Sequence, residues 1–206
     1  NSSAMNRVTY LEGRAISSGR NLSFHPIINL IKDWAHITEE DSPAQASHKL
    51  ETAIRTVSHD NADDIFAFIA TLMGMKLSGR YAKRTAGIEG EALEKLIFKN
   101  MRDLLIRATE VTPLVIVIED LHWTDLSSIE LLESLFRLAG SHPIVFINVF
   151  RPNYPETGDR IIATLKEKTP VSYLEIKLEP LTAELGETLI KNMLDIKGLS
   201  SSLINQ

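Results

Sequence analysis

The chain has 206 residues, 44% of them hydrophobic, which is enough to bury the core of one domain with a small appendage and excludes intrinsic disorder. Its 22 Lys and Arg against 27 Asp and Glu give a formal net charge of −5 with no basic run, which argues against a dedicated nucleic-acid surface. The absence of cysteine excludes a disulfide scaffold and thiolate metal sites; with no apolar stretch long enough to span a bilayer and no signal peptide, a cytoplasmic protein without a membrane partner is expected.

Asn1-Ser-Ser-Ala-Met5 reads as a cloning remnant. Residues 8–11, β-branched and aromatic, predict a short strand that gives way to Glu12, Gly13 and Arg14 and then to a polar loop holding Gly19. Pro26 opens a helix whose broad apolar face is Ile27, Ile28, Leu30, Ile31 and Trp34. Two further helices are predicted over residues 44–57 and 62–73. With no strand between them, residues 26–90 form a helical insertion, and the Gly-, Arg- and Lys-rich piece 74–90 is its exposed return loop. A long helix over 91–109 directs Leu93, Leu96, Ile97, Met101, Leu104, Leu105 and Ala108 toward a sheet.

Pro113 ends that helical signal. The run Leu114-Val-Ile-Val-Ile118 then reads as a buried parallel strand that stops at two adjacent carboxylates, Glu119 and Asp120. Asp125 starts another helix, carrying Ile129, Leu132, Leu135 and Phe136. Residues 143–150 predict a second buried strand ending at Arg151, a helix follows over 159–167, and a last strand over 171–176. The closing helix begins near Thr182 and carries Leu185, Leu189, Ile190, Met193 and Leu194. Strands that alternate with helices of this length imply right-handed parallel crossovers, hence an α/β fold with a mainly parallel open sheet.

Chemistry gathers where the strands end. If the strand continues through both acids, Glu119 and Asp120 point to opposite faces and take different tasks: Glu119 toward a phosphate-bound Mg²⁺, Asp120 toward a hydrolytic water. The alternative is that they cap the turn or stay hydrated. His122 either touches a phosphate or makes a structural hydrogen bond, and Trp123 either covers a base or packs the turn. Arg151 lies on the same edge as Glu119, where a guanidinium senses a terminal phosphate or pairs with a nearby acid. Arg14 occupies the corresponding edge of the first strand, with a surface salt bridge as the competing role. Asn148, inside an apolar strand, needs a hydrogen-bond partner. No GxxxxGK[ST] phosphate loop occurs in the 206 residues.

Pro113-Leu-Val-Ile-Val-Ile-Glu-Asp-Leu-His-Trp-Thr-Asp-Leu-Ser-Ser-Ile-Glu-Leu-Leu132 resembles the Walker B segment of signal-transduction ATPases of the STAND/AAA type, the AAA-like ATPase region of multidomain bacterial regulators. Tyr10-Leu-Glu-Gly-Arg14, Leu22-Ser-Phe-His-Pro-Ile27 with Trp34, Val149-Phe-Arg-Pro152 and Leu178-Glu-Pro-Leu181 agree with it. The resemblance implies a three-layer P-loop NTPase-like core with ATP and Mg²⁺ as ligands. It places Glu119 on the Walker B acid, Asp120 on the catalytic acid and Arg151 on the phosphate-sensing arginine. It further implies covalent attachment to cyclase, kinase or LuxR-type domains, and a strand order 5-1-4-3-2 whose first strand, Walker A loop and helix precede residue 8. On this reading residues 6–206 are a partial ATPase domain, with 91–194 its Walker B half and 195–206 the start of a following helical region. The fragment is then inactive by itself, and its unpaired sheet edges favour self-association or direct closure of the last strand onto the one before it, a loosely ordered segment 172–176 being the third outcome. A non-catalytic scaffold or interaction module is the alternative, and a Mg²⁺-dependent phosphotransferase of unrelated type a further one.

Overall fold

The computed structural model describes residues 8–17, 22–168 and 173–194. The chain divides into two compact units, residues 1–173 and 174–206. The remnant expected at 1–5, Gly19, Ser172 and the helical region expected at 195–206 lie outside the described residues.

The first unit is built on three parallel strands, β1 (Thr9–Arg14), β2 (Leu114–Glu119) and β3 (Ile144–Asn148), in the order β1-β2-β3. That order matches the 4-3-2 portion of the implied sheet. Thr9 lies opposite Leu114, Arg14 opposite Glu119, and Leu114 opposite Ile144. The first strand is longer than its apolar stretch suggests. Glu12, Gly13 and Arg14 stay in it because β2 continues alongside them, and because Gly13 lets the next helix approach: a Cβ there would meet the Pro26 carbonyl oxygen at 2.5 Å.

Between β1 and β2 run α1 (His25–Trp34), α2 (Pro43–Val57), α3 (Ala62–Leu72), α4 (Gly79–Thr85) and α5 (Gly90–Val111). Helix α2 starts with a capping box: the Ser42 backbone N–H donates to Gln45 at 2.9 Å, and the Gln45 N–H returns to the Ser42 hydroxyl. Helix α3 is apolar almost all round, so it is buried on most of its surface. The stretch expected to be a plain return loop contains α4, pinned by Tyr81. The Tyr81 ring packs 4.4 Å from that of Phe66, and its hydroxyl accepts from Arg55 at 3.1 Å while donating to Glu51 at 2.5 Å. These contacts and its neighbours' ion pairs hold the Arg55 guanidinium charged and keep the Glu51 carboxyl below its ordinary range.

Helices α6 (Leu126–Leu135) and α7 (Gly158–Lys168) follow β2 and β3. They are clamped by Arg160, which donates to both oxygens of Glu133 at 3.1 and 2.7 Å, and by the Thr164 hydroxyl at 2.6 Å.

One consequence of handedness corrects the expectation for β3. The crossovers β1 to β2 and β2 to β3 step in the same direction, and right-handed crossovers of that kind place their helices on one face of the sheet. Leu11, Leu114, Ile116, Ile118 and Ile144 therefore lie in the core. On the other face, Tyr10, Val145, Ile147 and Val149 are 41–54% exposed. Strand β3 alternates between the two rather than being buried throughout, and it is a sheet edge.

The second unit contains α8 (Ala183–Leu194), whose first turn is capped by the Thr182 hydroxyl accepting from the Leu185 N–H at 3.3 Å. The strand expected over 171–176 does not form among the described residues: 173–182 carry no regular structure. Tyr173, Leu174 and Ile176 have strand-like composition, but a strand needs a partner ladder as well as propensity. No helix of the described residues is long and apolar enough to cross a membrane.

Candidate functional site

The site is assembled at the C-terminal ends of the three strands, where open parallel sheets present their loops. Glu119 is the last residue of β2, half-buried, beside Arg14 on the neighbouring strand; its carbonyl accepts from the Ala15 N–H at 3.0 Å. Asp120 departs from the strand. Its φ of 53° and ψ of 34° are left-handed, so the alternation expected through the acidic pair is broken and the chain turns into a short 3₁₀ segment, Leu121–Trp123. The reversal points the Asp120 carboxylate back toward β1, where Arg14 Nε donates to Oδ2 at 3.2 Å. Both partners keep access to water, with side chains 65% and 37% exposed, so the pair is open to exchange.

His122 is buried, 1% exposed, and its Nδ1 accepts from the backbone N–H of Arg151 at 3.5 Å. Its ring lies 4.7 Å from those of both Trp123 and Tyr154. The aromatic group ties the loop after β2 to the loop after β3, and the packing role for Trp123 follows from it. The Arg151 side chain is exposed beyond the end of β3. Asn148 runs against expectation: its side-chain Oδ1 is buried with no hydrogen-bond partner among the described residues.

Asp125 does more than start α6. One oxygen accepts from the Ser128 N–H at 2.9 Å; the other accepts from the Ser128 hydroxyl at 2.6 Å and from the Phe24 N–H at 3.1 Å. Phe24 sits in a left-handed conformation at the N-terminus of α1, so one carboxylate anchors two helix starts separated by about a hundred residues of chain. No local signal marks this long-range bond. An open cleft between the two loops is lined by Thr124, Asp125, Tyr154, Glu156 and Thr157, and the buried hydroxyls of Thr124 and Thr157 have no hydrogen-bond partner among the described residues.

The structure thus brings Glu119, Asp120 and Arg14 together, sets His122 behind Arg151, and puts one candidate acid at the end of the middle strand and the other on the turn that follows it. A family model described as the AAA ATPase domain matches residues 2–147. The chain belongs to the AAA ATPase domain family. Comparison with curated proteins and with solved structures gave no match. As an AAA ATPase domain, the chain is a nucleotide-binding, ATPase-like module with a P-loop NTPase-like core, and intact members of the family use ATP and Mg²⁺.

The residues present fit one half of that ligand. A Mg²⁺ bound through nucleotide phosphates needs one or two carboxylates rather than a full protein cage. Glu119 and Asp120 are carboxylates of that kind standing side by side at the end of β2, and no cluster of three or more acidic, His or Cys side chains occurs among the described residues. The other half, a glycine-rich lysine loop of backbone N–H donors, is not in the sequence.

Proposed function

We propose that the chain is the Walker B half of a regulatory ATP-binding and ATP-hydrolysing module of the STAND type. Its setting is a larger cytoplasmic signalling protein, such as one carrying a cyclase, kinase or LuxR-type domain, with the phosphate loop supplied from outside these 206 residues. The observation that carries the reading is the pair Glu119 and Asp120 at the C-terminal end of the central strand, in a sheet where, among the described residues, β3 is the last strand and Val145, Ile147 and Val149 on its outer face are exposed. Exposed apolar side chains on that face support a reading in which further chain packs there.

Bound Mg-ATP supplies the electrophilic terminal phosphate and the cation that neutralises it. Glu119, fixed by its strand, holds the metal side. Asp120, on a turn just past the strand, is free to orient a water once Arg14 releases it. Arg151 offers its guanidinium to the terminal phosphate, and His122 serves the site by holding the Arg151 backbone. Nucleotide state then biases the attached domains.

Calorimetry with Mg-ATP tests the division of labour. The 206-residue chain binds more weakly than about 10 μM, roughly −7 kcal/mol, because two carboxylates without a phosphate cradle repel a polyanion. Tighter binding would remove the need for an external loop.

A further inference from the structure

We propose that residues 74–90 are a strap over α3 that opens and closes while the rest of the first unit stays folded, and that ion pairs from α4 latch it shut. Neither Glu119 nor Asp120 takes part, so the strap does not rest on the ATPase reading. It is hinged at both ends. Gly74, Gly79, Gly87 and Gly90 have φ of 70°, 56°, 73° and 56°, and a Cβ built on any of them would meet nothing within 4 Å. These glycines therefore serve backbone conformation and not packing, two on each side of α4, where the chain can turn through angles closed to most other residues. Helix α4 between them has only 7 residues, too few to hold a helix by itself, and its Ser78 N-cap makes no side-chain bond. No side chain from residue 74 to 90 is buried; Met75, Leu77, Tyr81 and Ile88 are half-buried against the core. Local opening is drawn from segments of this kind, with few buried apolar contacts and a backbone close to water.

Charge supplies the latch. Arg80 Nη2 lies 3.5 Å from carboxylate oxygens of both Glu51 on α2 and Asp63 on α3, and Arg84 pairs with Asp63 at 3.6 Å and with Asp64. Both arginines are open to water, with side chains 59% and 38% exposed, so each pair is weak and yields to salt. The aromatic anchor is Tyr81, whose ring lies against Phe66, a core residue only 2% exposed. Release uncovers Phe66 and with it an apolar face of α3, while α3 keeps its packing against α2 and α5. The strap stays tethered to α3 at one end and to α5 at the other, so its return is intramolecular. The first unit thus carries an apolar surface whose exposure follows ionic conditions.

Amide hydrogen exchange on the full chain, read by mass spectrometry over peptides from α3, α4 and α5, tests the strap. At low salt the α4 amides are expected to be protected, yet to exchange about tenfold or more faster than those of α3 and α5. Below the urea transition the α4 rate stays constant, because local opening exposes little surface, while the α3 and α5 rates climb with denaturant. Raising the salt from about 0.05 to about 0.5 M speeds α4 about fivefold, as does the double substitution Arg80→Gln with Arg84→Gln. The double variant no longer responds to salt, which separates a latch from simple fraying. Exchange of α4 in step with α3 and α5, absence of protection at low salt, or a salt response that survives the double substitution would each overturn the proposal.

Discussion

Asp125→Ala tests the structure at the point where the loop after β2 meets the rest of the molecule. The substitution removes three accepted hydrogen bonds at once. Loss of an N-cap costs about 1 kcal/mol, with a range of roughly 0.5–2. The Phe24 N–H, at the start of a different helix and half-buried, loses its acceptor as well, and an unsatisfied donor in such a place costs a further 1–3 kcal/mol or so. The sum is about 2–4 kcal/mol. Asp125→Asn keeps an acceptor oxygen for one partner set and is expected to lose less than half as much, while Ser128→Ala removes only the hydroxyl bond and costs about 1 kcal/mol or less. Urea unfolding followed by tryptophan fluorescence reports on the first unit alone, since Trp34 and Trp123 are the two tryptophans and both belong to it. A loss below about 1 kcal/mol for Asp125→Ala, within the range of a single cap, would show that the bond to Phe24 carries no weight and that the two helix starts are independent.

Gly13→Ala forces a methyl group to within 2.5 Å of a backbone carbonyl that cannot rotate away, so β1 and α1 must separate; a loss of about 1–3 kcal/mol in the same urea assay is expected. Burial pushes the Glu133 carboxyl up, but hydrogen bonds from Arg160 and Thr164 outweigh it and hold the group below its ordinary range. Its contribution is therefore complete above the unfolded carboxylate value of about 4.3 and fades as pH falls through the lower folded value. Urea midpoints of wild type and Glu133→Gln should differ most near neutrality and converge below about pH 4. In a chain that includes a phosphate loop, Asp120→Asn is expected to lower the ATP turnover rate about 100-fold or more while changing nucleotide affinity little. Glu119→Gln should instead weaken the Mg²⁺ dependence of both, read from steady-state rates and affinities measured side by side.

The positions of β2, α5 and α6 were legible because they rest on local pattern: a five-residue apolar run stopped by acids, a long stripe at helical spacing, and an aspartate at a helix start. What local pattern could not convey was which faces would be covered. Residues 143–150 read as a buried strand from their composition alone, yet Val145 and Ile147 face outward because the crossover direction puts the helices that join the three strands on the other side. The acidic pair was visible as chemistry but not as geometry. Alternation assumed an extended backbone, and the left-handed turn at Asp120 delivers its carboxylate to Arg14 instead. Tyr81 and its ion-pair network lay in a segment whose glycines and cations suggested only a loop. The bond between Asp125 and Phe24 has no sequence signature, since it depends on two turns meeting in space.

The pairing registers also order the events of folding. Joining β2 to β3 brings Leu114 to Ile144, a separation of 144 − 114 = 30 residues, whereas joining β1 to β2 brings Thr9 to Leu114, 114 − 9 = 105 residues. Closing the longer span costs roughly 1 kcal/mol more in chain entropy, and less still is repaid until the helices between have docked. Strands β2 and β3 with α6 thus form the natural nucleus, and β1 is the late arrival. The edge that carries Arg14 is then also the one whose loosening is felt mainly in how fast the protein unfolds, so the strand bearing the partner of Asp120 is the part of the sheet able to come and go without dismantling the acids it serves.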